Sequence, residues 1–166
     1  MNSHKGRYVY DYPHPAVSAD IVCLRSVPGG MQIALVRRGK DPFRGMWAVP
    51  GGFMNIEETL LSAARRELAE ETGLRARFVE QFYCFDEPQR DPRGRTLSVA
   101  FLALVDGDQE GRAGDDAGEF AWFPSDRLPE LAFDHARIIA KGLKVLSQWQ
   151  QLNLIERQVS KQGSGE

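Results

Sequence analysis

The chain has 166 residues, of which 42% are apolar, and its formal net charge is -2. This length predicts one compact domain with a substantial core, because typical domains have about 100 to 200 residues. The near-neutral charge argues against nucleic acid as a partner, since nucleic-acid modules usually carry a basic excess. A small-molecule ligand is therefore favoured.

The cysteines and the chain ends indicate the compartment and the domain limits. Cys23 and Cys84 lie in apolar runs, and we expect both to be reduced thiols of the core. No apolar run approaches the ~18 residues that span a bilayer, and the start is polar, so we expect a cytoplasmic protein without membrane contact. Polar composition predicts a partly flexible extension over residues 1–15 and a flexible tail over residues 153–166, with the domain at 16–152.

Strand-like and helix-like segments alternate along the chain. Runs rich in Val, Ile and aromatic residues, bounded by turn residues, predict strands over residues 16–27, 31–38, 47–50, 75–86, 96–106 and 119–126. The first two should form a hairpin around Pro28 and Gly29. A charged segment from Glu87 to Arg95 is long enough to reach a ligand. Amphipathic spacing predicts a helix from Phe133 to Leu152, so we expect an α/β layered domain.

A second helix is predicted between the third and fourth of these strands. Asn55 with Glu58 three residues later has the arrangement of a capping box, which predicts a helix start near Ile56. The helix should end near Thr72, because Gly73 can adopt the left-handed conformation of a C-terminal cap.

This helix carries three carboxylates on one side. Glu67, Glu70 and Glu71 stand at i, i+3 and i+4, within reach of a common point. The apolar sector, set by Leu60, Leu61, Ala64 and Leu68, includes Glu71 and borders Glu67. Burying an ionised carboxylate without a partner is costly, so a compensating cation is expected. Oxygen ligands favour Mg²⁺, with Mn²⁺ as a substitute. The alternative is a solvated acidic surface paired with Arg65 and Arg66.

The segment from Gly52 to Leu74 resembles the Nudix box, G-x5-E-x7-R-E-U-x-E-E-x-G-U, in which U is an apolar residue. Every fixed position is matched, at Gly52, Glu58, Arg66, Glu67, Leu68, Glu70, Glu71, Gly73 and Leu74. The resemblance implies an α/β/α sandwich with a mixed central sheet. It also implies a hydrolase for nucleoside diphosphates linked to another group, and a homodimer.

The resemblance further implies roles for the box residues. Glu67, Glu70 and Glu71 would bind the metal with the carbonyl of Gly52, while Glu58 and Arg66 would organise the loop and the helix. The general base is left open by the sequence, because members of this family use a glutamate inside or outside the box. Glu70 and Glu71 are the first candidates, and Glu119, expected in the loop before the last strand, is the outside candidate.

The substrate has to be judged from residues outside the box. The stretches around it are similar to Nudix domains of ADP-ribose pyrophosphatases, and also to those of transcriptional regulators of NAD metabolism. Guanidinium groups can bind a diphosphate and ribose hydroxyls, and the candidates are Arg37, Arg38, Arg44, Arg90, Arg93 and Arg95. Phe43, Trp47 and Tyr83 could stack an adenine, although aromatic residues in strands are more often core. His135 is interpreted as a structural residue at a helix start.

Three functional hypotheses follow. The favoured one is hydrolysis of ADP-ribose to AMP and ribose 5-phosphate. A second is hydrolysis of oxidised nucleoside triphosphates. The third is an ADP-ribose-sensing Nudix domain of a transcriptional regulator, which requires the chain to be part of a longer protein, since fold alone does not decide function.

Overall fold

The fold is a mixed β-sheet between two helices, seen in a computed structural model that describes residues 11–114 and 117–152. In this part of the chain the strands are β1 (Ala16–Val27), β2 (Gly30–Arg38), β3 (Trp47–Ala48), β4 (Gly51–Phe53), β5 (Phe78–Phe85), β6 (Thr96–Leu104) and β7 (Ala117–Pro124). The helices are α1 (Leu60–Thr72) and α2 (His135–Gln151). Residues 1–10 of the expected extension at 1–15 and the whole of the expected tail at 153–166 lie outside the described residues.

The predicted hairpin is confirmed, and it opens away from its turn. β1 pairs with β2 only from Leu24 to Val27, next to the turn. Farther along, the same edge of β1 pairs with β4, and the same edge of β2 pairs with β3. The segment 47–53 therefore fills the gap between the diverging strands. The other edges of β1 and β2 pair with β6, in parallel, and with β7.

Each face of the sheet has its own hydrophobic core. On one face α1 contributes Ala63, Ala64 and Leu68, which are buried against β1 and β6. On the other face α2 contributes Ile138 and Ile139. This arrangement is the expected α/β/α sandwich with a mixed sheet. β1 can supply both cores because alternate side chains of a strand point to opposite faces.

The end of α1 was predicted correctly and its start was not. Gly73 is the C-terminal cap with a left-handed φ of 67°. The helix begins at Leu60, after a Thr59 N-cap whose side chain accepts a hydrogen bond from the Ser62 N–H. The Asn55 N–H does donate to Glu58 Oε1, at 2.7 Å, but within the preceding turn.

Two predictions of burial are wrong. Cys23 is buried and its thiol pKa is raised by burial, but Cys84 is exposed. Cys84 lies on β5 just after a register shift between Gln81 and Tyr83 that interrupts the alternation of side chains. Leu61, placed in the apolar sector of α1, is 43% exposed, since the helix turns Ala63 rather than Leu61 to the sheet beside Ala64 and Leu68. Among the described residues, none of the helices is long and apolar enough to cross a membrane.

Candidate active site

A cleft of about 250 Å³ opens where β1 and β2 diverge. Its walls come from β1, the end of β2, the segment 48–53, the end of α1, and the loops before β6 and α2. Its lining includes Ser18, Asp20, Arg38, Gly51, Gly52, Phe53, Glu71, Arg90, Asp91, Arg93, Phe133 and His135. The cleft therefore joins one end of the acidic helix to most of the arginines that were expected to bind substrate.

Arg66 links the loop before α1 to the helix. Its guanidinium donates to both carboxylate oxygens of Glu58, from Nη2 at 2.6 Å and from Nε at 3.0 Å. It also reaches the carboxylates of Glu67 at 2.7 Å and Glu70 at 3.0 Å, and the carbonyl of Phe53 at 3.3 Å. The hydrogen bond from Arg66 lowers the pKa of Glu58 to about 2. These contacts give Arg66 and Glu58 the bracing geometry that the box implies.

Glu71 is the acidic side chain of the helix that reaches into the cleft. Its Oε2 accepts a hydrogen bond from the Gly51 N–H at 3.0 Å. Burial raises the pKa of Glu71 to about 7, and the nearby Glu67 and Asp20 add to the effect. Among the described residues Glu71 has no salt-bridge partner, so its charge is poorly compensated.

Glu67 lies against the glycines of β4. A methyl group added at Gly52 would stand 2.5 Å from Oε1 and 2.8 Å from Oε2 of Glu67. The side chain of Glu67 is 14% exposed, and burial raises its pKa despite the hydrogen bond from Arg66. Only a glycine leaves room for this approach of carboxylate to backbone. The side chain of Glu70, by contrast, is 61% exposed.

The oxygen donors of the box fit a hard divalent cation by their chemistry. Within the described part of the chain, no three acidic, histidine or cysteine side chains converge closely enough to hold an ion as they stand. Arg66 instead engages Glu67 and Glu70, while Glu71 stays buried with a raised pKa. A buried carboxylate held partly protonated is a group that a cation would stabilise.

The guanidinium group of Arg90 forms ion pairs within the protein rather than facing a ligand unpaired. It makes a bidentate pair with Asp134, at 2.7 and 3.1 Å, and lies 3.5 Å from Asp20. Its side chain is 5% exposed. Ser98 donates a further hydrogen bond to Asp20. Arg90 thus joins the loop before β6 to the start of α2 beneath the cleft.

Arg38 and Arg93 face the cleft as expected, and they meet at an aromatic ring that the sequence reasoning missed. The Cζ atoms of Arg38 and Arg93 lie 4.7 and 5.4 Å from the centroid of the Phe133 ring. Arg93 also lies 5.0 Å from the Phe53 ring. Phe133 has a φ of 52°, a conformation that non-glycine residues rarely adopt and that is costly for bulky ones.

Two other charged candidates pair with each other at the rim. Arg37 Nη1 donates to Glu119 Oε2 at 3.2 Å, and both side chains are about half exposed. Glu119 lies in β7, opposite Arg37, which agrees with the predicted strand at 119–126 and not with a loop position just before residues 121–124. Arg95 donates to the Asp86 carbonyl and does not line the cleft. Arg44 is exposed and also outside the lining.

The aromatic candidates have structural partners. Trp47 packs edge-on against Phe123 in the core beneath α2, with ring centroids 4.9 Å apart. Phe43, whose φ is 63°, contacts Phe133 with ring centroids 4.7 Å apart. Tyr83 lies on β5, outside the cleft lining. None of the three lines the cleft, but the Phe43 ring contacts the ring of Phe133, which does.

His135 is a structural residue at the start of α2, as interpreted from the sequence. Its Nδ1 accepts a hydrogen bond from the Val49 N–H at 3.1 Å, and burial lowers its pKa. The missed residues of the cleft include Asp20, Asp91 and Phe133. Asp134, which pairs with Arg90, was also missed. The R-D-P-R sequence at 90–93 is a local signal for the Asp91–Arg93 pair, but the others come together only through long-range contacts.

A family model described as NUDIX domain matches residues 14–142. The chain belongs to the Nudix family. It is 42% identical over 128 residues to an ADP-ribose pyrophosphatase of Methanocaldococcus jannaschii, covering 77% of this chain and 73% of that protein. It is 30% identical over 141 residues to the ADPR responsive transcriptional repressor NtrR of Acinetobacter baylyi, covering 82% of this chain and 56% of the repressor.

A solved structure shares the fold of this Nudix hydrolase. The NUDIX domain of Shewanella oneidensis NrtR, complexed with ADP ribose, superposes with a TM-score of 0.75 at 28% identity. The superposition covers 81% of this chain and 90% of that one. Both an enzyme and a regulator therefore stand among the proteins that resemble this chain.

Proposed function

We propose that this Nudix hydrolase is a metal-dependent pyrophosphohydrolase that converts ADP-ribose and water to AMP and ribose 5-phosphate. The observation that carries the proposal is the placement of Glu67 and Glu71 against Gly52 and Gly51, at the edge of a cleft lined by arginines. The 42% identity to an archaeal ADP-ribose pyrophosphatase supports the choice of substrate.

The metal site is proposed at the end of α1 that faces β4. Glu67, Glu70, Glu71 and the Gly52 carbonyl would hold a divalent ion, with Mg²⁺ favoured over Mn²⁺ because all the donors are oxygens. When bound, such an ion stabilises negative charge on the diphosphate and makes water a stronger nucleophile. Arg66 would hold the carboxylates of Glu67 and Glu70 in position, and its pair with Glu58 would anchor it to the preceding loop.

The general base is proposed to be a glutamate of the box. Glu70 is exposed enough to exchange protons with solvent, and Glu71 faces the cleft directly. Glu119 is the weaker candidate, since Arg37 holds it at the rim and it does not line the cleft. The base removes a proton from the attacking water as the bond between phosphorus and the bridging oxygen breaks.

A substrate panel tests this proposal. We would measure AMP release from ADP-ribose, NADH, ADP-glucose and diadenosine polyphosphates, and pyrophosphate release from oxidised dGTP, with Mg²⁺, Mn²⁺ or chelator. Metal-dependent cleavage of ADP-ribose above the others is expected. Activity confined to oxidised dGTP would replace the proposal with the triphosphatase hypothesis.

A sensing role is the second candidate, because the chain also resembles a transcriptional repressor and a regulator domain complexed with ADP ribose. Tight ADP-ribose binding without turnover of any compound would favour it. A matched set of metal donors argues for the enzyme, since a sensor needs only binding.

Several finer properties stay predictions. They are the homodimeric state, the cytoplasmic location, the lack of a nucleic-acid partner, and the limits of the domain at residues 16–152. Light scattering coupled to gel filtration measures the oligomeric state directly.

A further inference from the structure

Two guanidinium groups flank one phenylalanine ring at the mouth of the cleft. The Cζ of Arg38 is 4.7 Å and that of Arg93 is 5.4 Å from the centroid of Phe133. All three residues line the same cleft as Glu71 and Gly52. Both cations thus lie on the aromatic ring that forms part of the wall for a ligand.

Each guanidinium is already oriented by the protein. Arg93 donates from Nε and Nη2 to Asp91, at 3.0 and 2.7 Å, and Asp91 also accepts from the Arg93 backbone N–H. Arg38 donates from Nε to the Pro42 carbonyl at 2.8 Å and from Nη2 to the Lys40 carbonyl at 3.4 Å. Within residues 11–114 and 117–152, the Nη1 of neither arginine has a hydrogen-bond partner.

Arg38 has no salt bridge of its own. Salt bridges join Arg37 to Glu119, Arg90 to Asp134 and Arg93 to Asp91, but in the described part of the chain no carboxylate forms one with Arg38. Burial and the nearby charge of Arg93 lower the pKa of Arg38, while the charges of Glu71, Asp91 and Asp20 act in the opposite direction. An anion that contacts both guanidinium groups would accept hydrogen bonds from their Nη1 atoms and offset the repulsion between them.

Phe133 keeps this arrangement in place. Its ring stacks on His135 at 5.3 Å with an interplanar angle of 28°, and it contacts Phe43 edge-on. Its φ of 52° is rarely adopted outside glycine, so the surrounding contacts hold it against a local preference. Backbone strain of this kind is common at ligand-binding sites.

We propose that Arg38 and Arg93 form a clamp for a phosphate of the substrate, and that Phe133 is the positioning residue that holds the two guanidinium groups at its ring. The identity of the phosphate as part of ADP-ribose rests on the proposed function. The clamp itself requires only an anionic phosphoryl group, and free inorganic pyrophosphate is its simplest probe.

Calorimetric titration in chelator tests the clamp without catalysis. Wild type, Arg38→Gln, Arg93→Gln and the control Arg127→Gln would each be titrated with ADP-ribose, inorganic pyrophosphate and adenosine. Arg127 is exposed and outside the cleft, so its variant removes one charge elsewhere. We expect Arg38→Gln and Arg93→Gln to weaken ADP-ribose binding by about 10- to 100-fold. Adenosine binding should not change.

Phe133 variants separate positioning from simple stability. Phe133→Leu is expected to weaken ADP-ribose and pyrophosphate about 10-fold with adenosine unchanged, and Phe133→Tyr should restore wild-type affinity. Arg38→Gln breaks no salt bridge in the described structure, so we expect it to fold. Arg93→Gln leaves Asp91 without its salt bridge, so Arg38→Gln tests the clamp even if Arg93→Gln does not fold. Melting temperatures check this.

The outcomes also distinguish the two proposals. Unchanged ADP-ribose affinity in Arg38→Gln, an equal loss for adenosine, or a wild type that binds neither phosphate compound would overturn the clamp. Arginine-dependent binding without AMP release would leave the clamp standing and reject the hydrolase proposal. AMP release with an unchanged KM in Arg38→Gln would reject the clamp and leave the hydrolase proposal standing.

Discussion

The Glu71 carboxylate accepts a hydrogen bond from the Gly51 N–H, with Oε2 3.0 Å from the nitrogen. This contact fixes the last turn of α1 to the strand that fills the gap between β1 and β2. It is the one hydrogen bond that the Glu71 side chain makes among the described residues, so the helix places a buried carboxylate in the cleft with little compensation. The predictions below follow from that placement and from its neighbours.

Glu71→Gln should lower kcat for ADP-ribose by about 100-fold or more, because it removes a ligand charge without changing side-chain shape. Divalent affinity, measured by Mn²⁺ titration, should fall with it. Glu119→Gln tests a base outside the box, because loss of kcat with unchanged Mn²⁺ affinity would assign the base to Glu119. Glu70→Gln is expected to lower both kcat and Mn²⁺ affinity, since Glu70 is also a proposed ligand. The control is Glu57→Gln, which is exposed and stands at an unconstrained position of the box. Full activity of Glu70→Gln and Glu71→Gln together would refute the metal assignment.

The metal-free protein should lose stability as pH rises from about 4.5 to about 7. In the folded state the pKa of Glu71 is raised from 4.5 to about 7, so the folded protein binds this proton more tightly than the unfolded chain does. The resulting stabilisation is fully present below pH 4.5 and is lost as the pH rises to about 7. The free energy of unfolding falls by about 3 kcal/mol at most. Thermal melts in chelator across this range, with Glu71→Gln as the comparison, measure it. A wild-type melting curve as flat as that of the variant would contradict the shift.

Arg66→Ala should lower both stability and rate. The variant removes hydrogen bonds to three glutamates and leaves their charges close together, which we expect to cost about 2 kcal/mol. Denaturant unfolding and steady-state kinetics measure the two effects. Arg65→Ala, one position along the helix, is the control, because among the described residues the Arg65 side chain makes only a 3.4 Å hydrogen bond to the Ala76 carbonyl. Unchanged melting and turnover in Arg66→Ala would exclude a bracing role.

Gly52→Ala should impair metal binding more than folding. Its added methyl group would meet the Glu67 carboxylate at 2.5 to 2.8 Å, so that side chain has to move. We expect weaker Mn²⁺ binding and a kcat lowered about 10-fold or more. Gly118→Ala is the matched control, since in the described structure the nearest contact of its methyl group would be the Arg37 carbonyl, at an ordinary 3.5 Å. Equal Mn²⁺ affinity in the two variants would show that the position of Glu67 is unimportant.

The sequence predicted those parts of the site that lie close together in the chain. The box, the end of α1 at Gly73 and the hairpin at Pro28 and Gly29 depend on local patterns, which a sequence displays directly. The start of α1 was missed because Thr59 competes with Asn55 as a cap, and the Asn55–Glu58 contact forms without a helix.

The cleft wall could not be predicted in the same way. Asp134 and Arg90 are 44 residues apart, and Phe133 meets Arg38 from the far end of the chain. Their partnership depends on how β1 and β2 diverge and where α2 packs. Charge alone could not separate Arg90, which is buried in an ion pair, from Arg38, which faces the cleft.

The most direct test of the central claim is AMP release from ADP-ribose by the purified protein, with Mg²⁺ and then with chelator. Rapid release that stops on chelation and returns with added Mg²⁺ is the predicted result. Binding of ADP-ribose with no release of AMP in Mg²⁺ or Mn²⁺ would contradict it.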